Sequence, residues 1–165
     1  MFAYKVVVIG DFGVGKTSLI RRFVDNSFSE DYLSSIGVTM SRKQLLTQDG
    51  IESTMMIWDT EGQTEHKAIF KHYLNGAKAF IIVADLSRDE TLRSIESHVQ
   101  LCQEVVPNAS ICIALNKSDI ESSTYSLDEL KNLAPNILSV YKTSAKLGDT
   151  INEIFIEINQ VVVQK

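Results

Sequence analysis

The sequence predicts a three-layer α/β/α domain built on a mostly parallel six-stranded sheet with one antiparallel edge pair. Three observations predict it: short runs that are apolar throughout, their alternation with segments of helical spacing, and one Asp-Gly turn joining two adjacent strand-like runs. Strands buried on both faces lose the in-out alternation of a half-exposed sheet and read as continuous apolar runs. The 165 residues contain no repeat, low-complexity stretch or linker, and Pro107 and Pro135 fall at element boundaries. Residues 1–165 therefore read as one domain, long enough for its own core.

Tyr4–Ile9, bounded by Gly10, reads as a first buried strand. Helical spacing of Leu19, Ile20, Phe23 and Val24 follows from Lys16 to Val24. Asn26 to Gly37 is polar and aperiodic, a long loop. Val38–Thr47 and Ile51–Trp58 flank Gln48-Asp49-Gly50, a strong hairpin signal. A polar stretch, Thr60–Lys67, leads into a short helix ending near Asn75. Phe80–Ala84 is a strand, Glu90–Val106 a helix stopped by Pro107, Ile111–Leu115 a buried strand, and Ile137–Tyr141 a last, shorter one. Ile151, Ile154, Phe155, Ile158 and Val162 form the helical stripe that closes the domain.

With 44% hydrophobic and 22% charged residues the chain is globular, and a net charge of −5 argues against a nucleic-acid partner. No apolar run approaches the roughly 20 residues of a membrane span. Val6–Ile9 is too short for a signal sequence. Cys102 and Cys112 fall in segments that read as a buried helix face and a buried strand, without the spacing of a disulfide or metal framework. The last residues carry no Cys, so a prenylation signal is not expected. The expectation is a monomeric cytoplasmic protein with no direct membrane insertion, peripheral to membranes only through a partner or a further tail.

Gly10-Asp11-Phe12-Gly13-Val14-Gly15-Lys16-Thr17 fits G-x-x-x-x-G-K-[ST]. Its glycines let backbone N–H groups wrap a phosphate, and the helix beginning at Lys16, with Ser18 in its first turn, adds the positive end of its dipole. In this pattern Lys16 reaches the β and γ phosphates and the Thr17 hydroxyl ligates Mg²⁺. The motif sits where it must, after a buried strand and before an amphipathic helix.

Three later segments resemble the Ras-like small GTPases, most closely the Rab branch, and the resemblance runs over essentially the whole chain. Asn116-Lys117-Ser118-Asp119 matches N-K-x-D. By that resemblance Asp119 accepts from guanine N1–H and N2–H₂, a donor pair that adenine lacks. Lys117 lays its stem on the base, and Asn116 ties this loop to the phosphate loop. Ser144-Ala145-Lys146 matches S-A-K, with the Ala145 N–H facing guanine O6. Trp58-Asp59-Thr60-Glu61-Gly62-Gln63 resembles the switch II segment W-D-T-A-G-Q. There Asp59 holds a Mg²⁺-bound water, the Gly62 N–H meets the γ-phosphate and Gln63 orients the attacking water. Phe28 matches the aromatic packed edge-on against guanine. Tyr32–Val38 resembles switch I, with Ser35 in place of the threonine that ligates Mg²⁺.

Three positions depart from that pattern. Phe12 stands where the family has Gly, Ala or Ser, either filling the space needed by Gln63 and an incoming arginine finger or turning outward. The finger is worth about 10³–10⁵ in rate. Glu61 replaces a small alanine; its carboxylate either stands ~5 Å from the γ-phosphate, costing on the order of 3 kcal/mol at an effective dielectric near 20, or turns toward Lys16 or solvent, favouring states that lack the γ-phosphate. Ser35 keeps the hydroxyl and loses the methyl. Met40 replaces a usual Phe beside Trp58 and Tyr73, and Thr64-Glu65-His66 lacks the usual Glu-Arg-aromatic. His66 and His72 read as solvated helix residues.

The resemblance implies a GTP/GDP switch with slow hydrolysis. Effectors, an exchange factor and a GTPase-activating protein would engage it through residues 26–45 and 58–75. Its rival is a hydrolysis-impaired, persistently GTP-bound binding or scaffold module. An ATPase or nucleotide kinase is disfavoured by Asp119 and by the lack of a lid-like arginine cluster.

Overall fold

The computed structural model describes residues 2–25, 33–35, 38–60, 67–120, 126–148 and 150–165, with only the backbone described at 33–35, 67–70 and 120. Its strands are β1 (Phe2–Gly10), β2 (Leu33–Ser35), β3 (Val38–Leu46), β4 (Glu52–Asp59), β5 (Ala77–Asp85), β6 (Ser110–Asn116) and β7 (Ile137–Lys142). The helices are α1 (Lys16–Val24), α2 (Lys67–Leu74), α3 (Asp89–Arg93), α4 (Ile95–Val105), α5 (Leu127–Lys131) and α6 (Ile151–Gln164), with a 3₁₀ turn at Ser118–Ile120.

The strands form one sheet in the order β2-β3-β4-β1-β5-β6-β7. The pairs β1–β4, β1–β5, β5–β6 and β6–β7 are parallel. The β3–β4 hairpin is the expected antiparallel pair, in register from Thr39 opposite Asp59 to Leu46 opposite Glu52. Its turn is closed by bonds from the Ile51 N–H to Thr47 Oγ1 and from the Gly50 N–H to the Thr47 carbonyl.

Because side chains alternate across a strand, the apolar run of β1 serves two cores. Val6 and Val8 pack with Leu19, Phe23, Ile81, Ile154, Phe155 and Ile158 under α1 and α6. Val7 and Ile9 pack with Phe80, Ile82, Ile95, Val99, Ile111 and Ile113 under α4. The Phe23 and Phe155 rings stack with centroids 3.9 Å apart, joining α1 to α6. Buried polar groups also fix α6. Asn159 Oδ1 accepts from the Tyr4 hydroxyl at 2.7 Å and from Ser53 Oγ at 2.6 Å. Glu157 accepts from Tyr141 and Ser139 of β7. Burial, and then the neighbouring carboxylate, push the Tyr141 hydroxyl up to about 12.

The structure corrects three local expectations. The segment expected as one loop over Asn26 to Gly37 contains β2, whose Leu33 lies opposite Met40, so a seventh short strand edges the six expected. The single helix expected over Glu90–Val106 is two, α3 and α4, interrupted at Ser94. There the hydroxyl bonds back to the Glu90 carbonyl, an arrangement that bends helices. The helix α5 was not expected, although Ser126 caps it by accepting from the Glu129 N–H, in the spacing of a capping box.

Replacing Phe155 by Ala, which removes a fully buried ring shared by α1 and α6, should cost about 3–5 kcal/mol. Urea denaturation at fixed nucleotide concentration measures it, and a loss under ~1 kcal/mol would show that this stack does not hold α6 to the sheet.

Candidate functional site

β1 ends at Gly10 and α1 begins at Lys16, so residues 11–15 must reverse the chain at the carboxyl edge of the parallel sheet, where α/β folds place ligands. Gly15 precedes the helix with φ 98°, a left-handed conformation, and a Cβ there would stand 2.4 Å from Asn116 Nδ2. Only glycine fits this approach. The start of α1 at Lys16 sets the positive end of the helix dipole beside this loop.

Lys16 is 1% exposed, and its ammonium donates to the carbonyls of Gly10 and Asp11, both at 2.9 Å. Thr17 Oγ1 donates to Asp59 Oδ2 at 2.6 Å, so two hard oxygen groups predicted for the metal stand side by side. A hydroxyl and a carboxylate suit Mg²⁺, which takes few protein oxygens and keeps waters and phosphate oxygens for the rest of its shell. Thr60 Oγ1 donates to the Val8 carbonyl and pins the chain immediately after Asp59. Ser18 lies exposed in the first turn of α1.

Toward the segments expected to read the base, Asn116 at the end of β6 ties the phosphate loop to the stretch after β7. Its Nδ2 donates to the Val14 carbonyl at 3.0 Å, and its Oδ1 accepts from Thr143 Oγ1 and from the Ala145 N–H, each at 3.2 Å. The Ala145 N–H, expected to face a base carbonyl, is thus engaged with the carboxamide in this structure. Fully buried Ser144 donates to Asp119 Oδ1 at 2.9 Å, which orients one carboxylate oxygen of a residue otherwise exposed. Lys146 is exposed beside it.

Lys117 adopts a left-handed backbone, φ 64°. Its ammonium lies 2.7 Å from Asp85 Oδ2 and donates to the Gly13 carbonyl at 3.4 Å. Asp85 is 0% exposed. Burial alone would raise its pKa, but bonds from Lys117 and Ser87 outweigh that and hold the carboxyl below its ordinary 3.8.

Three contacts at the loop escaped the sequence reading. His98 Nε2 of α4 lies 3.0 Å from Asp11 Oδ1. Arg88, just before α3, donates to the Phe12 carbonyl. Asp85 is the buried partner of Lys117. Each joins residues more than 30 positions apart, and a lone His, Arg or Asp carries no spacing signal. Phe12 itself is 70% exposed. Trp58 and Tyr73 stay together, ring centroids 6.3 Å apart, with Lys5 Nζ 4.0 Å from the Trp58 centroid. His72 is exposed, as expected. Phe28, Tyr32, Glu61, Gly62, Gln63 and His66 lie outside the described residues, as does the Ser35 side chain.

A glycine loop between a buried strand and a helix, a lysine folded over it, and a base-side loop tied to it by Asn116 define a P-loop nucleotide-binding protein. The Ras family matches residues 5–164. Ras-related protein Rab-22A of Homo sapiens is 36% identical over 94% of this chain and 81% of its own length. Ras-related protein SEC4 of Saccharomyces cerevisiae is 31% identical over 98% and 75%. Ras-related protein Rab-15 of Rattus norvegicus is 34% identical over 98% and 77%. The chain belongs to the Ras family of small GTPases, on the Rab side of it.

Because the folded pKa of Asp85 is depressed, its contribution to stability is present above 3.8 and is lost as pH falls through the lower folded value. Urea midpoints measured from pH 6 down to 3 should fall more steeply for the wild type than for Asp85→Asn, which is less stable at pH 6. Parallel acid limbs would show that Lys117 does not hold this carboxylate ionised.

Proposed function

We propose that this small GTPase binds GTP or GDP with Mg²⁺ through the residues named above and hydrolyses GTP slowly. The observation that carries this is the bonding of Asn116 to Val14, Thr143 and Ala145, which fixes the phosphate loop and the base-reading loops as one body. In this reading Asp119, oriented by Ser144, accepts from the guanine N1–H and N2–H₂, while Lys117 supports the base and Phe28 packs on its edge. Backbone N–H groups of residues 13–18 cradle the phosphates, and Lys16 shifts from loop carbonyls toward the β and γ oxygens. Thr17, Ser35 and Asp59, the last through water, would hold Mg²⁺, which neutralises charge on the β and γ oxygens when bound.

Hydrolysis needs little beyond positioning: Gln63 orients water for in-line attack and the Gly62 N–H meets the γ-phosphate. The slow rate is assigned to Glu61, Ser35 and Phe12. In a second reading the Phe12 ring, unpacked at 70% exposure, occupies the approach of a partner's arginine and the protein persists as a GTP-bound module. In the switch reading, GTP and Mg²⁺ order Asn26–Gly37 and Thr60–Lys67, effectors bind through residues 26–45 and 58–75, and an exchange factor resets the switch. None of the helices among the described residues is long and apolar enough to cross a membrane.

Single-turnover hydrolysis of GTP-loaded protein tests the rate assignment. Unassisted turnover below roughly 10⁻⁴ per second is expected, rising in the double variant Phe12→Gly, Glu61→Ala. No rise would remove these two residues as the cause. Exchange against ATP tests the base assignment: GTP should be preferred by at least ~10³-fold, and equal affinity would overturn the role given to Asp119.

A further inference from the structure

The carbonyls of the phosphate loop are tied one after another by side chains from elsewhere. Lys16 takes those of Gly10 and Asp11, Arg88 that of Phe12 (Nη1 to O, 2.9 Å), Lys117 that of Gly13, and Asn116 that of Val14. The described peptide bonds are trans, so in each unit the C=O and the following N–H point opposite ways. Donors on the carbonyls of residues 12, 13 and 14 therefore turn the N–H groups of Gly13, Val14 and Gly15 away from those donors. These three are the N–H groups a phosphate chain needs.

Two of the three donors, Lys117 and Asn116, belong to the base-reading motif; Arg88 belongs to none. We propose that Arg88 is a positioning residue for the phosphate site, presetting the Gly13 N–H by holding the Phe12 carbonyl. This deepens the nucleotide-binding reading above and rests on it.

A fixed turn presents Arg88. The Ser87 N–H and hydroxyl both donate to Asp85 Oδ1, the Arg88 N–H donates to the Asp85 carbonyl, and Thr91 Oγ1 bonds the carbonyls of Asp85 and Arg88. Asp85 in turn holds Lys117, so one buried carboxylate sets two of the three donors. The Arg88 Nε also meets exposed Glu90 Oε1 at 3.1 Å, a surface pair worth little by itself. Nη1 also lies 3.3 Å from the place a Cβ on Gly13 would occupy, with Gly13 at φ 75°. The guanidinium therefore packs on the Phe12–Gly13 peptide itself, and a side chain at position 13 would strain the backbone and crowd this contact.

The test compares Arg88→Met, Arg88→Lys and Glu90→Ala in the full chain, measuring affinity for GDP and, by competition at millimolar concentration, for guanosine, which has no phosphate. Arg88→Met should weaken GDP about three- to tenfold and speed its dissociation, because one partly exposed charged hydrogen bond is lost. Guanosine competition should be unchanged, Arg88→Lys should recover most of the GDP affinity, and Glu90→Ala should stay within about twofold of wild type.

The proposal is overturned if Arg88→Met binds GDP like wild type, or weakens GDP and guanosine alike. It is equally overturned if lysine fails to rescue, or if Glu90→Ala does as much damage as Arg88→Met. Wild-type protein that binds GDP no better than ADP would instead remove the nucleotide assignment beneath it, a result separable from any effect at position 88.

Discussion

Asn116 occupies the point on which the other loops depend. It closes β6, the most deeply covered strand, and its carboxamide leaves the sheet edge with one donor and one acceptor directed at different segments. A single planar group thereby sets the distance between the phosphate loop and the loop after β7. Because the amide is buried, each unsatisfied bond would carry a desolvation cost of about 1–3 kcal/mol, so the three segments are held to one arrangement. Gly15 is the other half of that arrangement, since its missing side chain is what lets the carboxamide come so near.

Beyond this junction, the loops are stiffened by polar side chains that bond to groups far along the chain or within their own turn. Asp85 is the clearest case: a carboxylate without solvent exposure that organises its own turn and neutralises Lys117. Buried charge is costly when single and tolerable when paired and hydrogen-bonded, as here. Charge at this end of the sheet is therefore ordered before any anionic ligand arrives, which limits the reorganisation that binding demands.

Much of this was legible in the sequence because the signals were local. The strand preceding Gly10, the glycine pattern, the Asp-Gly hairpin and the Asn116–Asp119 string each occupy fewer than about ten residues and imply a backbone shape directly. The contacts of Arg88 with Phe12 and of His98 with Asp11 span 76 and 87 positions, and only the packed sheet brings them together. The Ser94 interruption was hidden because a serine within a helical pattern is tolerated until its hydroxyl bonds backwards. Leu33–Ser35 was hidden because three residues cannot show a period. The cap of α5, Ser126 with Glu129, was readable and simply lacked the long apolar stripe that draws attention to a helix.

The Asn159 cluster bears on how the chain is made. Tyr4 and its partner on α6 are separated by 155 positions, and Ser53 reaches the same carboxamide across 106. Contacts of such separation form late, after loop-closure entropy has been met. During synthesis this face of β1 and β4 has only α1 to cover it until residues 151–164 leave the ribosome, since nothing earlier among the described residues supplies Phe155 or Ile158. The nascent chain thus presents an apolar sheet face for most of its translation, a surface of the kind that chaperones bind.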